Sequence, residues 1–375
     1  MKLLIFIHSL SSGGAERVTT NLANYWAGKE WDITIATLTG DESDFYQLHP
    51  RVKRIALNLD ADSQGLLSAI KHNYQRVRAL RKVLKQQQPD VALAMMTTAN
   101  ILLALAAKGL GIPAVGSERI HPPMLPLGTV WEWLRQHIYG QLDMLVALTK
   151  ESAVWLKANT KIQKVEIIPN TVNYPITPQP PVIKPKFVSN SFNLIAVGRL
   201  SYQKGFDRLI QAFSTLASRF PEWNLIILGE GDCRQILEQQ IAELGLEQRV
   251  SMPGVVGNLG DWYTEADLYV MTSLFEGFPN ALGEAMSYGL PVISVDCDTG
   301  PRDIIRHQVD GLLVPQNDHH ALVETLKMLM GDKMLRQKYA ERSVEIRERL
   351  SIENISSLWE VLFINIREKE KNESA

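Results

Sequence analysis

Cysteine is almost missing from this chain: Cys233 and Cys297 are the only two in 375 residues. Without ligand spacing they exclude a disulfide framework and a thiolate-built metal site, and each reads as a small apolar packing residue. Long hydrophobic runs are lacking too. The longest, such as Leu3–Ile7 and Ile101–Ala107, fall far short of the roughly 20 residues a membrane-crossing helix needs. Met1–His8 has one lysine and a short apolar run, with no small-residue cleavage pattern behind it. A first buried strand is therefore expected in place of a signal peptide, and with it a cytoplasmic protein. No repeat of solenoid period is visible. Nor does one sign of charge dominate: 39 Lys+Arg against 41 Asp+Glu leave a net −2, which argues against a dedicated nucleic-acid binder.

What is present suffices for a large core. A length of 375 residues, 45% apolar and 21% charged, predicts two domains. The charge is unevenly spread: residues 1–185 carry 20 Lys+Arg against 14 Asp+Glu, the remainder 19 against 27. Either the first half faces something anionic, a membrane surface or nucleic acid, or it carries solvated charge.

Short apolar runs of strand character alternate with longer segments of helical period, the pattern of parallel sheets with crossover helices. Strands are predicted near Leu3–Ile7, Ile33–Leu38, Val91–Met95, Ala114–Gly116 and Met144–Leu148. A second set falls near Leu194–Val197, Leu225–Leu228, Leu268–Met271 and Val292–Val295. Between the sets, Pro169–Ser191 holds six of the 18 prolines, which neither a helix nor an inner strand tolerates. The expected division is residues 1–170, a linker 171–191, residues 192–350, and a C-terminal helix and tail 351–375. The charged stretch Arg367–Glu373 is expected to be a fraying helix end.

Three segments carry chemistry. The first, Ser11-Ser12-Gly13-Gly14-Ala15-Glu16-Arg17, follows the first strand and opens a helix. Free amides and the helix dipole there suit a phosphate oxygen. It lacks the Gly-x-Gly-x-x-Gly pattern, and Leu38-Thr39-Gly40 puts no acid after the second strand, so a nicotinamide site is disfavoured. By itself the loop is equally well a tight turn.

The second segment, Val197-Gly198-Arg199-Leu200-Ser201-Tyr202-Gln203-Lys204-Gly205, places two cations in one loop at a strand's carboxyl end. Arg199 can fork onto phosphate oxygens while Lys204 adds a point charge. The plain alternative is a solvated pair. The third, Glu276-Gly277-Phe278-Pro279-Asn280-Ala281-Leu282-Gly283-Glu284, sets Glu276 in a turn and Glu284 about two helical turns on. Amides of Gly277, Phe278 and Asn280, around Pro279, would then lie between two carboxylates that accept paired hydrogen bonds from vicinal hydroxyls. Two surface glutamates on a helix are the alternative.

Taken together with Leu228-Gly229-Glu230-Gly231 and Gly289-Leu290-Pro291-Val292-Ile293, these segments make the chain resemble a retaining family-4 glycosyltransferase of the GT-B fold, the group 1 type, over essentially its whole length. The resemblance implies an α/β protein of two Rossmann-like domains facing each other across a cleft, the C-terminal helix crossing back to the N-terminal domain. It implies transfer of a hexose or N-acetylhexosamine from a nucleotide sugar to a glycan or lipid-linked acceptor, in surface polysaccharide or glycoconjugate synthesis. The N-terminal domain would hold the acceptor and the C-terminal domain the donor. By position, Arg199 and Lys204 would hold the diphosphate, Gly13 and Gly14 would approach its distal phosphate, Glu276 would face the donor sugar and Glu284 the ribose. Neither a protein nucleophile nor a metal nor another cofactor is expected, the work being electrostatic stabilisation and positioning. Uridine is the expected base, from the likeness of Gly277–Asn280 and Thr299-Gly300-Pro301 to enzymes that use UDP-sugars.

One departure concerns the loop Gly116-Ser117-Glu118-Arg119-Ile120-His121-Pro122, where many relatives carry an active-site histidine. Either Arg119, adding phosphate charge, or His121, touching the sugar, fills that slot. Asp296-Cys297-Asp298 follows a buried strand and is rejected as a metal motif. His307, His319 and His320 read as surface or helix-cap residues.

Residues 66–85 put Leu67, Ile70, Tyr74, Val77, Leu80 and Leu84 on one stripe beside six cations and no acid. Core packing explains the stripe as well as membrane contact does, while the basic face fits anionic lipid, so a peripheral place on the inner face of the cell membrane is expected. Pro122–Leu127 and Trp131–Leu134 would suit a lipid headgroup region, or pack as a lid. Two other functions fit the same residues: a GT-B-type nucleotide-sugar epimerase, which needs no acceptor, and a non-catalytic nucleotide-sugar binding protein.

Overall fold

The computed structural model describes residues 1–61, 65–124, 126–187 and 190–373. They form two compact units, Met1–Thr171 with Ile352–Ala375, and Val172–Ser351.

The first unit holds seven strands: β1 (Lys2–Ile7), β2 (Asp32–Thr37), β3 (Lys53–Ala56), β4 (Val91–Met95), β5 (Ala114–Ser117), β6 (Met144–Ala147) and β7 (Val165–Ile167). Their order is β3-β2-β1-β4-β5-β6-β7, every pair parallel. The second unit holds β8 (Phe192–Val197), β9 (Trp223–Leu228), β10 (Val250–Gly254), β11 (Leu268–Met271), β12 (Val292–Asp296) and β13 (Leu312–Pro315), in the order β10-β9-β8-β11-β12-β13. This sheet is parallel too. In each, the order reverses beside the first strand, at β1/β4 and at β8/β11, where doubly wound sheets open a crevice at their carboxyl ends. Central strands such as β4, buried at every residue, are apolar throughout because helices cover both faces.

The C-terminal helix Ile352–Glu373 packs on the first unit. Trp359 and Phe363 are fully buried; Phe363 meets Trp26 edge-on at 5.7 Å, and Trp26 stacks on Trp31 at 5.6 Å. Lys29 Nζ donates to Glu360 at 3.0 Å. Burying such aromatic rings contributes several kcal/mol each.

The proline-rich stretch lies along the second unit. Val172 N donates to the Leu350 carbonyl at 2.8 Å, and Gln179 N to the Gly257 carbonyl at 2.9 Å. Trp262 Nε1 donates to the Ile183 carbonyl at 3.1 Å. A side chain at Gly257 would put Cβ 1.6 Å from the Gln179 carbonyl oxygen, so glycine is required there by contact alone.

The basic helix Leu66–Gln87 corrects the single-stripe expectation. Leu80 and Leu84 are fully buried and Val77 packs on the core, whereas Ile70 and Tyr74 are 67% and 66% exposed. Its cations also divide. Arg76 donates to the carbonyls of Leu59 and Ala61, and Arg81 to those of Ala106 and Lys108, while Lys71, Arg78, Lys82 and Lys85 are exposed. The side chain of Leu67, and the whole of Leu125 in the Pro122–Leu127 segment, lie outside the described residues. Among the described residues, no helix is long and apolar enough to cross a membrane.

Candidate active site

In the second unit the site residues gather at the carboxyl ends of β8 and β11. After β8 the chain turns through Gly198, whose amide donates to the Leu228 carbonyl at 3.0 Å. Gly229, at φ 142°, comes so close that a Cβ there would lie 1.9 Å from the Gly198 carbonyl oxygen. Two loops thus meet backbone to backbone, which only glycine allows. Arg199 projects to solvent from this turn.

Lys204 ends a short 3₁₀ turn, Tyr202–Lys204, clamped onto the segment after β11. Leu274 N donates to the Gln203 carbonyl at 2.8 Å, Gln203 Nε2 to the Phe275 carbonyl at 2.8 Å, and Thr272 Oγ1 to the Lys204 carbonyl at 3.0 Å. Gly205, at φ 62°, would carry a Cβ only 2.4 Å from the Thr272 carbonyl oxygen. The clamp delivers Lys204 Nζ to Glu276 Oε1 at 2.6 Å, and Ser273 Oγ donates to the same oxygen at 2.6 Å. Glu276 is 7% exposed. The sequence reading gave Lys204 to phosphate and Glu276 to sugar as separate tasks; the structure joins them in one ion pair. A buried carboxylate so held is pre-oriented, and its lysine keeps two further N–H donors for a ligand.

The turn behind Glu276 is backed by Thr299, whose hydroxyl donates to the Glu276 carbonyl, and by Gly300, where a Cβ would meet Pro279 at 2.5 Å. Phe278 and Pro279 are buried, Gly277 and Asn280 half-buried. Glu284 lies on the buried face of the helix Asn280–Ser287. It stands about one helical turn in, because the helix begins at Asn280 rather than at Glu276; the expected two turns are corrected to one.

In the first unit, the loop after β1 differs from a plain open amide cradle. Gly13 N already donates to the Ser11 carbonyl at 2.8 Å, and the Glu16 carboxylate folds back over Gly13, 1.9 Å from where a Cβ would stand. Gly14 begins the helix Gly14–Gly28. An anion reaching this helix end would meet Gly14 and not Gly13, and only after Glu16 had swung away from its place over Gly13.

After β5, Glu118, Arg119 and His121 are all at least nine-tenths buried. Asn100 holds the strand end by accepting from Ser117 N at 3.0 Å and donating to the Ser117 carbonyl at 3.2 Å. Thr97 Oγ1 donates to Glu118 at 2.8 Å, and the Tyr139 hydroxyl donates to its other oxygen. Burial drives the Glu118 carboxyl above its usual range, the two hydroxyl donors opposing it. Arg119 donates to Ser117 Oγ at 3.2 Å and to Asn170 Oδ1, while its Nε has no partner. Burial alone, with no carboxylate to offset it, pushes this guanidinium down to about 9. His121 Nδ1 meets Ser152 Oγ at 2.9 Å. Arg119 thus presents an uncompensated cation, and His121 is tied to the start of the helix Lys150–Asn159.

Several of these residues were not singled out from sequence. Ser273 and Thr272 carried a faint signal, two hydroxyls between a strand and Glu276. Thr97, Asn100, Tyr139 and Asn170 carried none, since they are distant in sequence from the loop they hold. Among the described residues no group of three or more His, Cys, Asp or Glu side chains could hold a metal ion. Cys297 is buried, its thiol pushed up to about 12 chiefly by desolvation, so it is inert packing. His307, His319 and His320 are exposed.

Two doubly wound parallel sheets, each with its loop chemistry at the carboxyl ends, define a GT-B protein. Two family models match the chain, Glycosyltransferase Family 4 over residues 12–174 and Glycosyl transferases group 1 over residues 183–345. The chain belongs to the family-4 glycosyltransferases of the group 1 type. It is 29% identical to GalNAc-alpha-(1->4)-GalNAc-alpha-(1->3)-diNAcBac-PP-undecaprenol alpha-1,4-N-acetyl-D-galactosaminyltransferase of Campylobacter jejuni, over 98% of this chain and 99% of that one. It is 26% identical to the amylovoran biosynthesis glycosyltransferase AmsD of Erwinia amylovora, over 96% and 98%. HepE of Anabaena, solved in complex with UDP, matches in fold with a TM-score of 0.76 at 19% identity, over 96% of this chain and 99% of that one.

Proposed function

We propose that this glycosyltransferase moves a hexose or N-acetylhexosamine, with retention, from a UDP-sugar to a lipid-linked or polysaccharide acceptor. The observation that carries the reading is the Lys204–Glu276 pair at 2.6 Å, built at the carboxyl ends of β8 and β11, with Arg199 exposed on the same loop as Lys204. The two cations neutralise the leaving diphosphate, which makes a divalent ion unnecessary, and Glu276, fixed by Ser273 and Lys204, accepts hydrogen bonds from sugar hydroxyls. Glu284 takes the ribose. In the first unit Arg119 supplies a further cation for an anionic group, the role that its neutral partners leave open, and His121 lies two residues on. The named relatives support the acceptor class, and the UDP in the HepE structure supports the base. The exposed Ile70 and Tyr74 beside Lys71 and Arg78 support a peripheral place on an anionic membrane surface at the inner face of the cell membrane.

The test is mass-spectrometric turnover of UDP-, GDP- and ADP-sugars with a chelator present, with and without a bacterial lipid extract. Lipid-dependent release of UDP with an α-configured product is expected. Isomerised nucleotide sugar without acceptor would establish the epimerase instead, and turnover restored only by a divalent ion would overturn the metal-independent step.

A further inference from the structure

β7 is one of the two edge strands of the first sheet, and beside it runs a groove of about 510 Å³ that serves none of the chemistry above. Its floor includes Met144, Lys164, Glu166 and Ile168; its wall is the C-terminal helix, including Leu358 and Val361. That helix has two apolar faces. Trp359 and Phe363 are buried on one, while Leu358 and Val361, three residues apart and so on one side, stay 47% and 57% exposed.

The backbone of β7 sets how it can pair. Leu145 N donates to the Lys164 carbonyl and Ile168 N to the Ala147 carbonyl, each at 3.0 Å. Residues 164, 166 and 168 therefore turn their peptide groups inward to β6, and by strand alternation Val165 and Ile167 turn theirs outward. An antiparallel neighbour can thus be a second β7, centred on Val165 or on Ile167. Centring on Val165 sets Lys164 opposite Glu166 of the second copy, twice over. Centring midway would set Glu166 against Glu166. Opposite charges directly across strands attract and like charges repel, each by roughly 0.2–1 kcal/mol, so the charge order selects the first register.

We infer that this face is a two-fold interface with a second copy of the chain, in which β7 pairs antiparallel with its mate about Val165 and brings the apolar faces of the two C-terminal helices to the seam. The arrangement is isologous: one patch meets itself, and an open sheet edge is closed by the pairing.

Sedimentation of the full chain over a range of concentrations tests it. The wild type is expected to sediment as a dimer, and Lys164→Glu, which faces like charges across the seam, to weaken association at least tenfold. Lys164→Glu combined with Glu166→Lys is expected to restore it. Val361→Asp should also give monomer, with circular dichroism and melting unchanged to show an intact fold. A wild type that is monomeric at every concentration would overturn the inference. So would a dimer that Lys164→Glu and Val361→Asp both leave intact, since association would then use another surface.

Discussion

At the scale of single residues, the site is made of charges held by neighbours that sequence order hides. Lys204 and Glu276 were legible because each stands at a strand's carboxyl end in a glycine-marked turn; their mutual bond was not, because it depends on the clamp of Tyr202–Lys204 onto residues 272–275. Lys204→Ala leaves Glu276 with Ser273 as its remaining hydrogen-bond donor in that group, so kcat should fall by at least 10²-fold, an order typical of losing one fixed electrostatic contact. Melting should drop by only a few degrees, since the lysine side chain is partly exposed. Equal loss of fold and turnover would make the pair structural. Arg119 makes an opposite stability argument. A buried guanidinium facing only neutral partners carries a desolvation cost that no carboxylate offsets. Arg119→Gln should therefore leave the ligand-free protein as stable or more so, by up to about 2 kcal/mol, while turnover falls. Thermal melts with and without UDP-sugar and lipid acceptor decide this; lower stability together with lower activity would mean that Arg119 only braces the Ser117–Asn170 region.

At the scale of elements, nine strands were legible, with ends within about two residues of those found. The four that were not, β3, β7, β10 and β13, are the four sheet edges. The cause is physical. An inner strand is covered on both faces and reads as an apolar run, whereas Lys53-Arg54-Ile55-Ala56 and Val165-Glu166-Ile167 carry charge on a half-covered edge, and Val250-Ser251-Met252-Pro253-Gly254 and Leu312-Leu313-Val314-Pro315 run into proline, so that the apolar-run signature is lost or cut short. Turn glycines carried more of the site than strand patterns did. Gly205 combines a left-handed φ with a carbonyl 2.4 Å from any Cβ, so Gly205→Ala must shift the Lys204 turn away from Thr272. A loss of about 1–3 kcal/mol is expected from the backbone strain, read by chemical denaturation. Donor KM should rise as well, because the same shift withdraws Lys204 from Glu276; an unchanged KM would show that the clamp does not set the lysine.

At the scale of the whole molecule, the fold class followed from alternating strand and helix periods, while the burial of the basic helix did not. Its stripe of apolar residues is one helical face in sequence, yet Leu80 and Leu84 sink into the core as Ile70 and Tyr74 emerge, because only the C-terminal half of the helix, from Val77 on, packs against the core cluster. The surplus of cations over acids in residues 1–185 then has a site to act from: the exposed end of that helix, where Lys71 and Arg78 flank two apolar side chains. Lysines and arginines near an anionic leaflet contribute about 1 kcal/mol each, and that contribution fades within a Debye length as salt rises. Lys71→Glu with Arg78→Glu should weaken co-sedimentation with phosphatidylglycerol vesicles by at least tenfold and flatten its salt dependence. Turnover of a water-soluble acceptor should be unchanged, since neither residue is among those assigned to the donor and both are exposed on the basic helix. Binding to neutral phosphatidylcholine vesicles equal to that on anionic ones would assign the contact to Ile70 and Tyr74 alone. Vesicle binding unaffected by the double change would place the membrane surface elsewhere on the chain.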